Sequence, residues 1–527
     1  MNQDPTHNKP VQDVVIVGGG SAGWLTAALL AAEFETSEEF SVTLVESPDT
    51  PTMGVGEGTW PSMRSTLKKI GINEAEFLRR CQGSLKQGTY FQNWARGKGE
   101  SYYHPFSPPA GYSEVNLAEV WLEGGLPHRS FAHAVTPQSH VCDQSRTAKQ
   151  LGIPDYAYAL NYGYHLDAGA FAGLLSEHAT AVLGVKHICS HIAGMIEDSE
   201  GYLQSLQTTA GDVLSGDLFI DCSGFEALLL GQHYQIPFNS VDSMLFNNRA
   251  LAAQVPYESP EHSIHSTTWA TAQPAGWVWD IGLRERRGVG YVFSSAHTDE
   301  ATAEQTLATY LKQTTNTGTP EQASSEFRLL TFNPGYRDTL WHKNCVAVGL
   351  AGGFVEPLEA SALVMVELAA RAIADRFPAT RDVMPVHAKR FNREFSRRWE
   401  HIIDFLKLHY VLSQRDDSDY WRDHRQSESV PTGLRERLAL WQTELPWHAE
   451  DERADELFPS ASYQYVLMGM GFRPQLSGPP RRRQLEQRVR SEELLHEVGQ
   501  QAQRMGQHLP SNRQLLTDLL YRDFATL

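Results

Sequence analysis

The apolar residues Val14 to Val17 run straight into Gly18-Gly19-Gly20-Ser21-Ala22-Gly23-Trp24, and this junction constrains the fold more than any other stretch. A short apolar run bounded by turn residues reads as a buried strand, and the glycines mark a tight turn. Leu25, Ala28, Leu29 and Ala32 then recur at helical spacing, and a second extended run, Ser41 to Val45, closes on Glu46. Strand, turn, helix and strand make a β-α-β unit. In the pattern G-x-G-x-x-G, here Gly18, Gly20 and Gly23, the glycines let backbone N–H groups approach a pyrophosphate. The positive end of the helix, opening at Ser21 and Ala22, favours its charge. Glu46, 23 residues past Gly23, stands where an acid accepts hydrogen bonds from a ribose. The expected fold class is therefore α/β with a Rossmann-like dinucleotide site.

Composition removes several classes of function. The formal net charge of −18 argues against nucleic acid or an anionic membrane as partner, since both select clustered Lys and Arg. The run Arg481-Arg482-Arg483 precedes a helical stretch carrying acidic residues and reads as a solvated helix face. Five scattered cysteines form no C-x-x-C pair, so neither a disulfide framework nor a metal site is expected. Met1 to Gln12 is polar, and no stretch approaches the ~18 apolar residues of a membrane span. The expectation is a cytoplasmic enzyme.

Two later apolar runs end in small residues, Asp221-Cys222-Ser223-Gly224 and Gly349-Leu350-Ala351-Gly352-Gly353. They resemble the strand ends that flavin monooxygenase-like folds place near the ribityl chain and isoalloxazine, which implies FAD. No second β-G-x-G-x-x-G-α unit is visible for a nicotinamide cofactor. From about residue 377 the pattern turns helical and charged. The organisation expected is one body over 1–376, its flavin module discontinuous and its substrate-side segments near 96–150 and 236–325. A helical region over 377–527 packs onto that body.

Four further segments choose the chemistry. Gly54-Val55-Gly56-Glu57-Gly58-Thr59 is followed by Gly83-Ser84-Leu85-Lys86, then Trp277-Val278-Trp279-Asp280-Ile281-Gly282, then Phe354 to Ser361. Tyr103-His104-Pro105-Phe106, Tyr164 to Asp167 and Arg415 to Trp421 accompany them. Trp277, Trp279 and Ile281 alternate, so on a strand they share a side. Together these segments resemble the flavin-dependent tryptophan halogenase family over nearly the whole body.

The resemblance implies that reduced FAD, O2 and a halide give an electrophilic halogen for an electron-rich ring. Lys86 falls on the family's essential lysine, which hydrogen-bonds hypohalous acid (HOX) or forms a haloamine. Glu359 falls on the catalytic glutamate, which polarises that pair or accepts the ring proton. Trp277, Trp279 and Ile281 would separate flavin from substrate; Gly282 stands where the family usually has Pro and implies a looser backbone. Gly56, Ile192, Gly349, Leu350 and Leu363 would join the flavin site. Ser361 and Ala362 stand in place of the family's Thr-Gly and would present backbone amides to chloride or bromide, bromide serving at least as well. His104, Phe106 and Tyr463 would hold the substrate. The stretch from about Ala449 to Tyr465 lacks the aromatic pair of the tryptophan-specific members, so an indole without the amino-acid group, or a larger indolic or phenolic molecule, is expected rather than free tryptophan.

A separate NAD(P)H-dependent flavin reductase would supply FADH2, and a homodimer is compatible with the pattern. An aromatic hydroxylase is the alternative: its product would form without halide and without Lys86. A non-catalytic FAD-binding redox sensor or inactive homologue is a third reading, which would count Gly282 and Ala360-Ser361-Ala362 as decay.

Overall fold

The computed structural model describes residues 9–49, 56–124, 130–315, 327–447, 457–475 and 482–524, with backbone alone at 482–486 and 520–524. Gly54, Val55, Arg481 and residues 449–456 of the expected substrate stretch lie outside them.

The β-α-β unit forms as its sequence demands. Strands Asp13–Val17 and Ser41–Glu46 pair in parallel around helix Ser21–Glu33. Strands Leu218–Asp221 and Cys345–Ala347 extend the sheet on one side and Lys186–Cys189 on the other, all parallel. Only the edge strand Trp341–His342 runs antiparallel. The two small-residue segments thus leave the ends of neighbouring strands beside the glycine loop, the place where open α/β sheets bind ligands.

A second, seven-stranded sheet carries the tryptophan segment. Its order is 328–331, 249–256, 286–293, 276–282, 268–273, 88–92 and 101–105, antiparallel except where Thr268–Gln273 runs parallel to Gly88–Gln92. Its strand Gly276–Gly282 is buried on both faces. Val278 packs with Val289, Tyr291 and Phe293 beneath helix Glu300–Thr314, whereas Trp277, Trp279 and Ile281 belong to the main core. The two faces therefore separate as strand alternation requires.

A small three-stranded sheet joins the two. Strand Gly163–Asp167 lies between Gly56–Gly58 and Ser84–Lys86, antiparallel to both. The chain beyond is helical, with Ser361–Asp375 packed along the glycine-loop helix. Helix Met384–Val411 begins half-exposed but is buried at every residue from Ile402 to Tyr410, so its end penetrates the body. Among the described residues no helix is long and apolar enough to cross a membrane.

Candidate active site

The glycine loop has the shape of a cofactor cradle. A Cβ on Gly18, whose φ is +116°, would lie 2.2 Å from the Cys222 carbonyl oxygen, and one on Gly23 would lie 1.8 Å from that of Gly18. Both positions exclude any side chain. A Cβ on Gly20 would meet nothing within 4 Å, so this part of the loop faces open space. The helix behind it has no side-chain cap and no acid in its first turn, leaving its amides and positive end for an anion. Glu46 leans over Gly19, one carboxylate oxygen 2.7 Å from His187 Nε2. Ile192 follows Ser190, whose amide donates to the Glu46 carbonyl. Gly349, at φ +73°, approaches Ala22 so closely that a Cβ there would lie 2.8 Å from the alanine methyl. Leu350 shares its short turn, and Leu363 is buried on the helix beyond. These residues fit a dinucleotide such as FAD.

Lys86 is 1 % exposed at the end of its short strand. Burial pushes its ammonium down to about 8, against the pull of Glu359. Space for it comes from Gly58: a Cβ there would stand 2.9 Å from Lys86 Nζ and 3.4 Å from the Ala360 methyl. The amine and the turn holding Glu359 thus meet across one glycine. The Phe106 ring centroid lies 5.5 Å from Nζ.

The strand carrying Lys86 is an edge, and its unpaired side is closed from far away in sequence. The buried Asn512 of helix Asn512–Phe524 accepts from the Leu85 amide at 3.3 Å and donates to the Leu85 carbonyl at 3.0 Å. Its carboxamide imitates a neighbouring strand. On the other residue next to Lys86, Gln87 Nε2 donates to the Arg146 carbonyl.

Glu359 is 5 % exposed. Burial alone would raise its carboxyl, but the histidines His104 and His409 outweigh it and hold the group at about 2. His104 Nδ1 lies 2.9 Å from Oε1. His409 Nε2 lies 3.3 Å from the same oxygen, off hydrogen-bond alignment. The His409 ring is anchored through Nδ1, which donates to the Phe405 carbonyl. The Trp60 indole N–H donates to the Glu359 carbonyl at 2.8 Å. Glu356, one turn earlier, has the opposite environment: desolvation raises it despite three donors, Trp277 Nε1, Tyr410 Oη and Asn247 Nδ2, all on Oε2. It fixes the Trp277 indole, while Glu359 stays ionised.

Trp277 and Trp279 meet edge to face at 6.4 Å. Gly290, opposite Trp279 in the ladder, has no side chain and leaves room for that indole. Ile281 approaches Gly56, where a Cβ would lie 3.4 Å away. Gly282 is not loose: it pairs with Arg287, its carbonyl accepts from Ser84 Oγ, and a Cβ would lie 2.9 Å from Ile264. Close packing of Ile264 accounts for glycine at this position.

An aromatic wall stands beside Glu359. His104 packs near Phe405 and Tyr465; Phe405 stacks on Phe458 at 3.8 Å, and Phe458 meets Trp60. Tyr463 reaches this group through Phe405 and accepts from Arg437. Ser361 and Ala362 open the helix after Ala360, which takes a left-handed φ of +54°; no side chain caps that end. Phe458 and Tyr465 belong to the expected substrate stretch, whereas Trp60, Phe405, His409 and Asn512 were not picked out from the sequence. Only Trp60, directly after Gly58-Thr59, adjoined a recognised motif.

A glycine cradle suited to a flavin thus stands in one chain with a buried lysine and a buried glutamate that meet across Gly58. The tryptophan halogenase family profile matches residues 13–484, and the chain belongs to that family of oxidoreductases. It is 33 % identical to the tryptophan 6-halogenase SttH of Streptomyces toxytricini over 486 residues, 87 % of this chain and 89 % of that protein. The crystal structure of a tryptophan halogenase from Shewanella frigidimarina superposes with a TM-score of 0.93 at 46 % identity, covering 98 % of each chain. BrvH, a flavin-dependent halogenase from Brevundimonas sp. BAL3, superposes with a TM-score of 0.84 at 31 % identity, over 97 % of this chain and 99 % of that one.

Proposed function

We propose that this halogenase transfers an electrophilic halogen, as HOX held by the Lys86 ammonium, to an indole-type ring that lacks the amino-acid group. The convergence of Lys86 and Glu359 across Gly58, beside an aromatic wall, carries this reading. Bound FADH2, delivered by a separate NAD(P)H-dependent reductase, supplies with O2 the oxidising power that converts halide to HOX.

The chain's own residues do the rest. The backbone amides of Ser361 and Ala362, at an uncapped helix start, attract the halide. Bromide, the more easily oxidised ion, serves at least as well as chloride. Trp277, Trp279 and Ile281 keep the ring away from the flavin, so that halogen rather than oxygen reaches it. Lys86 keeps its proton at neutral pH because burial brings it only to about 8, and it donates a hydrogen bond to HOX. Glu359, ionised by His104 and His409, orients that pair and takes the proton displaced from the ring. A carboxylate near 2 is a weak base, but a halogenated ring cation is a far stronger acid, so the transfer runs downhill. His104 and Phe106 contact the ring, with Tyr463 behind them.

The test is turnover of unsubstituted indole against free tryptophan, with bromide and with chloride. Halogenated indole at higher kcat/KM than halogenated tryptophan is expected; a strong preference for tryptophan overturns the substrate assignment.

A further inference from the structure

Among the described residues, one group of side chains outside the active site is suited to a metal ion. His140 and Asp143 lie three residues apart on helix Gln138–Asp143, and His133 lies on the preceding helix Phe131–Val135. Each offers a ligand atom, and these atoms all lie within 4.8 Å of one another. We propose that His133, His140 and Asp143 bind a divalent transition-metal ion of the zinc class.

The outer atoms of the three residues are held as metal ligands require. A ligating histidine donates its other ring N–H to a carbonyl, hydroxyl or carboxylate, which sets the tautomer and aims the ring. His140 Nε2 lies 2.9 Å from the His133 carbonyl oxygen, which can only accept; the hydrogen therefore sits on Nε2 and the lone pair on Nδ1. His133 Nδ1 lies 2.6 Å from Ser130 Oγ, and Nε2 faces Asp143. Asp143 uses Oδ1 to accept from Tyr103 Oη at 2.8 Å and turns Oδ2 to His133 Nε2 at 2.9 Å.

The two imidazoles stand at 83° with centroids 4.8 Å apart, so their nitrogens approach from different directions. Two histidines and one carboxylate suit Zn2+, Co2+ or Ni2+ rather than Ca2+ or Mg2+, which prefer all-oxygen shells. Ligands on one tetrahedral Zn2+ lie about 3.3 Å apart, so the widest pair closes by at most about 1.5 Å. His133 and Asp143 keep 21 % and 47 % side-chain exposure, which gives the ion a path from solvent. Remaining coordination positions go to water.

The position gives such an ion a structural effect. Tyr103 and His104 are neighbours on strand Ser101–Pro105 and point to opposite faces, Tyr103 to Asp143 and His104 to Glu359. The ion would tie two short helices to the back of the strand whose front carries His104.

Tag-free protein, stripped with chelator, is titrated with Co2+ and with Zn2+, and bound metal is counted after equilibrium dialysis. Expected are one ion per chain below about 100 μM free metal, Co2+ d–d bands without a thiolate charge-transfer band, and a Tm rise of at least about 2 °C with Zn2+. His133→Ala/His140→Ala should lose the ion and the Tm rise while its metal-free circular dichroism matches wild type. Asp143→Asn, which keeps the side-chain shape, should weaken binding at least about tenfold and decides the question if the double variant misfolds. Equal metal content in wild type and variants, or no ion bound at 100 μM, overturns the proposal.

Discussion

Replacing Gly58 by alanine puts a methyl group 2.9 Å from Lys86 Nζ, where no such pair of atoms can rest. Gly58 is a strand residue without a positive φ, so the backbone accepts alanine, and Ala360 at 3.4 Å gives way by little. The amine, at the far end of a flexible side chain, is the atom that yields. Restoring ordinary van der Waals separation of about 3.6 Å moves Nζ by roughly 0.7 Å. Misplacing a reacting group by about 1 Å costs on the order of 10²-fold, so kcat should fall about 10- to 100-fold, or 1.4 to 2.7 kcal/mol of barrier. Stability should change by less than about 1 kcal/mol, because removing a glycine also lowers the entropy of the unfolded chain. The assay is the initial rate of bromoindole formation under a constant FADH2 supply, with thermal unfolding and FAD binding measured beside it. A variant that folds, binds FAD and keeps full kcat would refute the reasoning, since it would show that chemistry does not occur at the position Nζ occupies beside Gly58.

Three further outcomes follow from the same geometry. Asn512→Leu strips the Leu85 amide and carbonyl of their partner in a buried site, and should cost about 2–4 kcal/mol with a drop in kcat; an unchanged Tm by calorimetry would remove Asn512 from the account. Lys86→Met should abolish turnover yet raise Tm. The Lys86 pKa falls from 10.5 unfolded to about 8 folded, so the folded state disfavours the charge by about 3 kcal/mol below pH 8. That gain should shrink as pH rises from 8 toward 10.5, and Tm against pH for both proteins checks it; a lower Tm for the variant at pH 7 contradicts it. If the ammonium presents HOX, kcat should fall as pH rises through about 8, whereas a rate that climbs there belongs to a haloamine route.

Legibility from sequence tracked how local each feature is. Gly18, Gly20, Gly23 and Glu46 were readable because one turn between two strands needs those residue types at that spacing, and the structure closes it with Cys222 and Ala22. Trp277, Trp279 and Ile281 were readable as one face because a strand alternates. Lys86 and Glu359 carried no signal in isolation and stood out only through resemblance to the family. Their burial, and the glycine between them, are products of the three-stranded sheet and cannot be read from spacing. Asn512 and His409 escaped notice because each acts on a residue far away in sequence through one polar side chain, Asn512 by hydrogen bonds and His409 by charge proximity, within helices that look ordinary. His133, His140 and Asp143 escaped for a related reason: two short helices must fold against Tyr103 before the three side chains meet. Gly282 was read as a loosening of the barrier and is instead a packing requirement of Ile264.

The most direct test is incubation of the wild type and Lys86→Ala with FAD, a generic flavin reductase, NADH, indole and either bromide or chloride, products being read by mass spectrometry. The account predicts a bromine or chlorine isotope pattern from the wild type that vanishes with Lys86→Ala. A product heavier by one oxygen that forms without halide, or halogenation that persists in the variant, would contradict it.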